Sequence, residues 1–199
     1  MKKDFIYLAS ASPRRSELLE QIGIAFQVRS ADLPEEPLPA ERPLDFATRM
    51  AREKVCAVAQ QLTAAVSRPI LGADTVVVLG ERIFGKPTDG AQAQAMLAEL
   101  SGATHRVVTA VAVLAEGQLE DRVSISEVRL RPTTAAERYA YAETGEPLDK
   151  AGGYAVQGRG AVFVEAIHGS YSGVVGLPLA ETVALLRRFG LPTWLEENR

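Results

Sequence analysis

The sequence holds one cysteine, Cys56, so no disulfide can form within the chain, and only two histidines, His105 and His168. Together these cannot build a structural zinc site, and the usage fits a reducing cytoplasm. Long hydrophobic runs are missing too: no stretch approaches the roughly 20 apolar residues that a membrane span needs. The opening Met1-Lys-Lys-Asp-Phe-Ile-Tyr-Leu8 carries two lysines but only a brief apolar run. That run is too short for a secretory signal and reads as the entry to a first strand. A basic excess is also absent. The 25 acids against 22 bases leave a net charge of −3, which disfavours a general nucleic-acid binder but leaves room for a compact basic pocket. No Walker A run, nucleophile elbow, metal-binding histidine pair or dinucleotide fingerprint occurs, which removes the P-loop and kinase classes.

What is present suits one domain over 1–199, with 47% hydrophobic residues to build its core and no composition shift to mark a boundary. Strand-like and helix-like segments alternate. Ile6–Ala9 reads as a strand, and Ser12-Pro13 opens a helix whose apolar face is Leu18, Leu19 and Ile22 and whose stop is Gly23. Phe26–Arg29 is a second strand. Residues 30–43, with four prolines, are a loop. A long helix is expected from about Pro43 to Ala65, burying Phe46, Met50 and Val58, and Pro69–Leu79 is a buried strand. Asp89 starts a helix that ends near Ser101-Gly102. His105–Leu114 and Arg122–Arg131 form a hairpin about Glu116-Gly-Gln118. Thr134-Ala-Ala-Glu137 is a capping box opening a helix that runs to Gly145. Ala161–Ile167 is a last strand, and Pro178–Phe189 a last helix closed by Gly190. Crossovers and a hairpin in one chain imply an α/β fold with a mixed sheet flanked by helices.

Several segments could carry chemistry. In Leu8-Ala-Ser-Ala-Ser-Pro-Arg-Arg15, a strand turns through small residues into a helix with two arginines in its first turn. Helix N-termini attract anions, yet cations there oppose the dipole, so Arg14 and Arg15 need a reason such as a bound phosphate, unless they are simply solvated. Gly72-Ala-Asp-Thr75 places Asp74 in an apolar strand, where an acid is costly unless paired, metal-bound or used as a general base. Lys54 and Lys86, unremarkable singly, would join the arginines in balancing a triphosphate. Asp149-Lys-Ala-Gly-Gly-Tyr-Ala-Val-Gln-Gly158 is glycine-rich, which permits close backbone approach to a ligand or makes a plain loop. The amide of Gln157 offers one donor and one acceptor, matching the O4 and N3–H of uracil or thymine. His105 and His168 face no nucleophile and read as structural.

Taken in order, LASASPRRSELL, AREK, GADTVVV, GKP, SGATHRVVTAV, LDKAGGYAVQG and GSYSGVVGLPL resemble the Maf nucleotide pyrophosphatases from about residue 6 to residue 190. The resemblance implies a two-lobed α/β fold with a central cleft, related to the inosine triphosphate pyrophosphatases. It also implies hydrolysis of a nucleoside triphosphate to monophosphate and pyrophosphate with a divalent cation, Mg²⁺ or Mn²⁺. By position, Asp74 would activate water. Ser10, Arg14, Arg15, Lys54 and Lys86 would hold phosphates, and Glu35 or Asp74 would help bind the metal. Arg14, Thr75 and Gln157 fall where the family sets substrate choice. The loop Asp32-Leu-Pro-Glu-Glu-Pro37 does not separate Glu35 from Glu36.

Gln157, where the 7-methyl-GTP branch tends to carry a carboxylate, points to dTTP and UTP. The alternatives are a 7-methyl-GTP pyrophosphatase and a non-catalytic nucleotide-binding regulator of septum formation. The expected partner is a small-molecule nucleoside triphosphate, with neither nucleic acid nor membrane, and the sequence leaves a homodimer open.

Overall fold

A computed structural model describes residues 5–62 and 68–191. Its strands are β1 (Ile6–Leu8), β2 (Phe26–Val28), β3 (Ile70–Leu79), β4 (Arg82–Phe84), β5 (Thr104–Ala115), β6 (Gln118–Leu130) and β7 (Val164–His168). They form one mixed sheet in the order β2-β1-β3-β5-β6-β7, with β4 paired to β3. β1 is parallel to β2, with Leu8 opposite Val28, and parallel to β3, with Leu8 opposite Leu71. β4 and β7 run antiparallel to β3 and β6. The helices are α1 (Pro13–Gln21), α2 (Pro43–Gln61), α3 (Gly90–Leu100), α4 (Ala135–Ala142), α5 (Tyr171–Val175) and α6 (Leu179–Arg188). None of the described helices is long and apolar enough to cross a membrane.

The chain divides into two compact units, with boundaries within β3, β5 and β6 and a fourth at the end of α5. The described residues of Met1–Asp74, Thr109–Ser124 and Gly176–Arg199 make the first; Thr75–Val108 and Ile125–Val175 make the second. In the first, β1, β3, α1 and α2 bury Ile6, Leu8, Leu19, Met50, Val55, Ile70 and Leu71. Each such side chain contributes about 1.5–3 kcal/mol through water released from apolar surface. In the second, Val77, Phe84, Leu97, Leu100, Val128, Leu130, Tyr141, Tyr154 and Phe163 form one cluster.

Local signals account for most helix ends. Pro13 and Pro43 stand at the first helical position of α1 and α2, where a missing N–H costs nothing. The Asp89 carboxylate caps α3 by accepting from the Gln92 N–H. Thr134 and Glu137 form the full reciprocal capping box of α4. The β5–β6 hairpin turns on Glu116 and Gly117, both left-handed, which is the two-residue geometry that matches strand twist.

Several boundaries differ from the sequence reading. Helix α2 ends at Gln61, and Thr63–Ala65 of the expected helix lie outside the described residues, as does Met1–Asp4. Strand β4 and helix α5, both short, were not expected from the pattern. Helix α4 stops at Ala142, and Gly145 instead precedes a 3-10 turn, Glu146–Asp149. The last strand begins only at Val164, because Arg159–Phe163 winds into a 3-10 turn. Ser12 does stand at the N-cap of α1, but its side chain makes no capping bond. Its own N–H donates to Ser10 Oγ, 3.2 Å away.

Candidate active site

In the first unit, Glu35, Lys54 and Asp74, all nominated by the sequence, meet. Glycine at position 72 sets the approach. A Cβ there would lie 2.7 Å from Val55 Cγ2 and 2.9 Å from the Ala51 carbonyl, so only glycine lets α2 settle this closely on β3. Between Ala51 and Val55, Lys54 projects to the strand. Its Nζ donates to Asp74 Oδ1 at 2.6 Å and lies 2.6 Å from Glu35 Oε1. Glu35 comes from the proline-rich loop and keeps its side chain 39% exposed, whereas Asp74 and Lys54 are buried. Its neighbour Glu36 is used differently, offering its main-chain carbonyl to Arg49. Of the two glutamates that the sequence left together, Glu35 is paired with Lys54.

Burial raises the Asp74 carboxyl above the ordinary aspartate range, opposed by the charges of Lys54 and Arg15. Arg15 is itself buried, and burial lowers its pKa while the charges of Asp74 and Glu35 hold it up. Its Nε donates to the Gly176 carbonyl at 2.8 Å and a terminal nitrogen to Ser10 Oγ at 3.0 Å. One guanidinium thus ties the start of α1 to the segment leading into α6. Arg14, its neighbour in the same turn, is half-buried. The paired arginines of the sequence accordingly have different environments, one locked beneath the turn and one at its surface.

A surface cavity of ≈ 420 Å³ elsewhere in this unit is lined by Leu44, Thr48, Arg49, Arg52, Glu53 and Asp121, among others, and includes none of the nominated residues. Its arginines are engaged: Arg49 with Glu41 and Glu53, Arg52 with Asp121.

The second unit holds Thr75, Lys86 and Gln157. Lys86 is exposed just beyond β4, and the preceding Gly85 carbonyl accepts from the Gly152 N–H at 3.0 Å. Gln157 is exposed at the crest of its glycine-rich loop. The groups that shape this loop were not singled out in the sequence. Tyr141 on α4 donates its hydroxyl to Glu146 Oε1 at 2.7 Å and accepts the Ala155 N–H at 3.1 Å. Glu146 accepts the N–H groups of Arg159 at 2.9 Å and Gly160 at 3.0 Å. Glycine richness was the available signal, but the group that comes close belongs to the protein itself. A Cβ on Gly158 would meet the Glu146 carboxylate at 2.5 Å, and one on Gly160 would meet the Tyr141 hydroxyl at 2.7 Å.

His105 is buried, its Nε2 lying 2.6 Å from the Tyr154 hydroxyl, with Nδ1 unpartnered among the described residues.

Residues 5–189 match the Maf-like protein family. A dTTP/UTP pyrophosphatase of Alcanivorax borkumensis is 50% identical over 95% of this chain and 97% of its own. One of Anaeromyxobacter dehalogenans is 52% identical over 94% and 95%. Another, of Geobacter sulfurreducens, is 50% identical over 96% and 99%. Among solved structures, the Staphylococcus aureus Ham1 protein aligns with 92% of this chain and 96% of its own, at a TM-score of 0.42 and 10% identity. That likeness is too loose to bear on fold or function. With the family's pattern spanning nearly the whole chain and relatives of the same length about half identical to it, the chain belongs to the family of Maf-like proteins.

Proposed function

We propose that this chain hydrolyses dTTP and UTP to the nucleoside monophosphate and pyrophosphate. The observation that carries the reading is the buried Asp74 carboxylate, held 2.6 Å from Lys54 beside Glu35, in a chain half identical to enzymes named for that reaction. Asp74 orients a water molecule at the α-phosphorus and takes its proton as the new P–O bond forms. The bond from the α-phosphorus to the bridging oxygen breaks, and pyrophosphate leaves with that oxygen. A carboxyl lifted by burial suits this work, because a base must be deprotonated yet strong enough to accept. Lys54 and Arg14 neutralise phosphate charge in the first unit. Ser10 and Arg15 fix the turn at the start of α1, whose N-terminal dipole favours an anion. In the second unit, Lys86 is assigned to phosphate, and Thr75 and Gln157, with Arg14, to substrate choice.

A divalent cation, Mg²⁺ or Mn²⁺, fits the donor set. Two carboxylates, Glu35 and Asp74, already converge on one cation, the Lys54 ammonium, and hard oxygen donors suit either metal. Among the described residues no three acids, histidines or cysteines gather into a complete site, so phosphate oxygens would finish the coordination. When bound, such a cation supplies charge neutralisation on the leaving pyrophosphate.

The direct test is to incubate the protein with dTTP, UTP, CTP, GTP and 7-methyl-GTP, with Mg²⁺ or Mn²⁺, and identify the products. Monophosphate and pyrophosphate from dTTP and UTP are expected. Release of inorganic phosphate would overturn the site of cleavage, turnover of 7-methyl-GTP alone would overturn the base assignment, and no turnover at all would favour a binding regulator.

A further inference from the structure

Gln157 is nominated for a task that demands an accurate position, yet it belongs to no helix or strand. It reads a pattern of one donor and one acceptor, and an amide displaced by a fraction of a hydrogen bond's length no longer discriminates. It stands exposed on a loop, where backbone freedom is ordinarily greatest. What restrains that loop is a pair of side chains five residues apart, Tyr141 at the end of α4 and Glu146 at the head of the 3-10 turn.

The restraint brackets the glutamine. Two residues before it, the Ala155 N–H is held by the Tyr141 hydroxyl; two and three residues after it, the N–H groups of Arg159 and Gly160 are held by the Glu146 carboxylate. The Tyr141 hydroxyl then joins the two halves by donating to Glu146 Oε1. The loop is cut to receive these groups, since a side chain at Gly158 or Gly160 would occupy the space of the carboxylate or the hydroxyl. Tyr141 is anchored in turn by its ring, edge-on to Phe163 within the core cluster of this unit. Burial disfavours charge on Glu146, but the N–H of Arg159, the Tyr141 hydroxyl and the N–H of Gly160 outweigh it and keep the carboxyl below its usual range. The acceptor is therefore charged at neutral pH, and such bonds are roughly twice as strong as neutral ones.

We propose that Tyr141 and Glu146 are positioning residues for base selection, a hydrogen-bonded bracket that holds Gln157 at the setting where it distinguishes uracil and thymine from cytosine. This rests on the assignment of base reading to Gln157 made above.

The test compares kcat/KM for dTTP and for CTP in the wild type, E146Q, Y141F and Q157A. Glu146→Gln keeps the size but replaces one acceptor oxygen with a donor. Tyr141→Phe removes only the hydroxyl, and carries the test alone should the first variant fold poorly. Both are expected to lower the dTTP:CTP ratio by about tenfold, the size of one misplaced hydrogen bond, with the loss for dTTP chiefly in KM. E146D, which keeps the charge on a shorter stem, is expected to recover part of the ratio. A purely structural role would lower both substrates alike and leave the ratio at the wild-type value; that result, with Q157A lowering it, would overturn the bracket alone. An unchanged ratio in Q157A would overturn the base assignment, and the bracket with it.

Discussion

Lys54 and Asp74 form a buried ion pair at 2.6 Å, and the pair exists because Gly72, two residues before the aspartate, has no side chain to hold α2 away. The same ammonium reaches Glu35 on an otherwise exposed loop, so one lysine gathers a strand acid and a loop acid. The ammonium offsets the repulsion between the two carboxylates that it bridges.

Asp74→Asn removes the proton acceptor with almost no change of volume. Turnover of dTTP is expected to fall by roughly 10²–10⁴-fold, the usual share of a general base, while nucleotide binding persists. Single-turnover product formation together with nucleotide binding by calorimetry would check it. Undiminished turnover would remove Asp74 from its role.

Replacing Lys54 alone should cost more stability than replacing both members of the pair. Lys54→Met leaves Asp74 buried without its nearest cation, a loss of about 3 kcal/mol at neutral pH by analogy with broken buried pairs. Adding Asp74→Asn removes the stranded charge. Denaturant unfolding of the two single variants and the double should therefore show a strong favourable coupling in the double. Additive losses would mean that the contact contributes little to the fold.

Gly72→Ala tests whether close approach of α2 matters to chemistry. The added methyl meets the Ala51 carbonyl, which is backbone and cannot rotate aside, so the helix must move. A stability loss of about 1–3 kcal/mol is expected, with a fall in kcat as Lys54 shifts from Asp74. Adding Val55→Ala relieves only the side-chain clash and should restore activity in part. Full activity in Gly72→Ala alone would show that the Lys54–Asp74 distance is not critical.

How far the sequence could be read follows from the range of each interaction. The β1-turn-α1 segment, the capping box at Thr134 and the hairpin at Glu116-Gly117 are set by neighbours in the chain, and their residue types announce them. The start of β7 was misplaced because the N–H groups of Arg159 and Gly160 are taken by Glu146, a contact no local pattern shows. Asp74 and Lys54 could each be nominated from an acid in an apolar strand and a lysine within a family-like motif. That Glu35 rather than Glu36 would share the lysine depended on how a proline-rich loop lies against α2. The bonds of Arg15 to the Gly176 carbonyl and to Ser10 were not legible either, because Gly176 lies far from it in the chain.

His105 makes stability depend on pH in a window of its own. Burial lowers its pKa to about 4, against an ordinary value of 6.5, so the unfolded chain binds a proton that the folded protein refuses. Where the unfolded state holds more protons, stability rises with pH. The contribution is therefore complete above about pH 6.5 and is lost as pH falls from there towards 4, by up to about 3 kcal/mol. Glu137, whose carboxyl is lowered to about 2, chiefly by its bond from Arg131, loses its contribution only below the usual glutamate range. Between about pH 6.5 and 4.5 the raised Asp74 carboxyl acts equally in the wild type and in a His105 variant, so the difference between the two profiles isolates the histidine. Urea unfolding across that interval should show falling stability in the wild type and a flatter profile in His105→Gln, which keeps a polar group near Tyr154 without a titrating ring. Equal slopes in the two proteins would mean that His105 accepts its proton inside the fold, beside the Tyr154 hydroxyl.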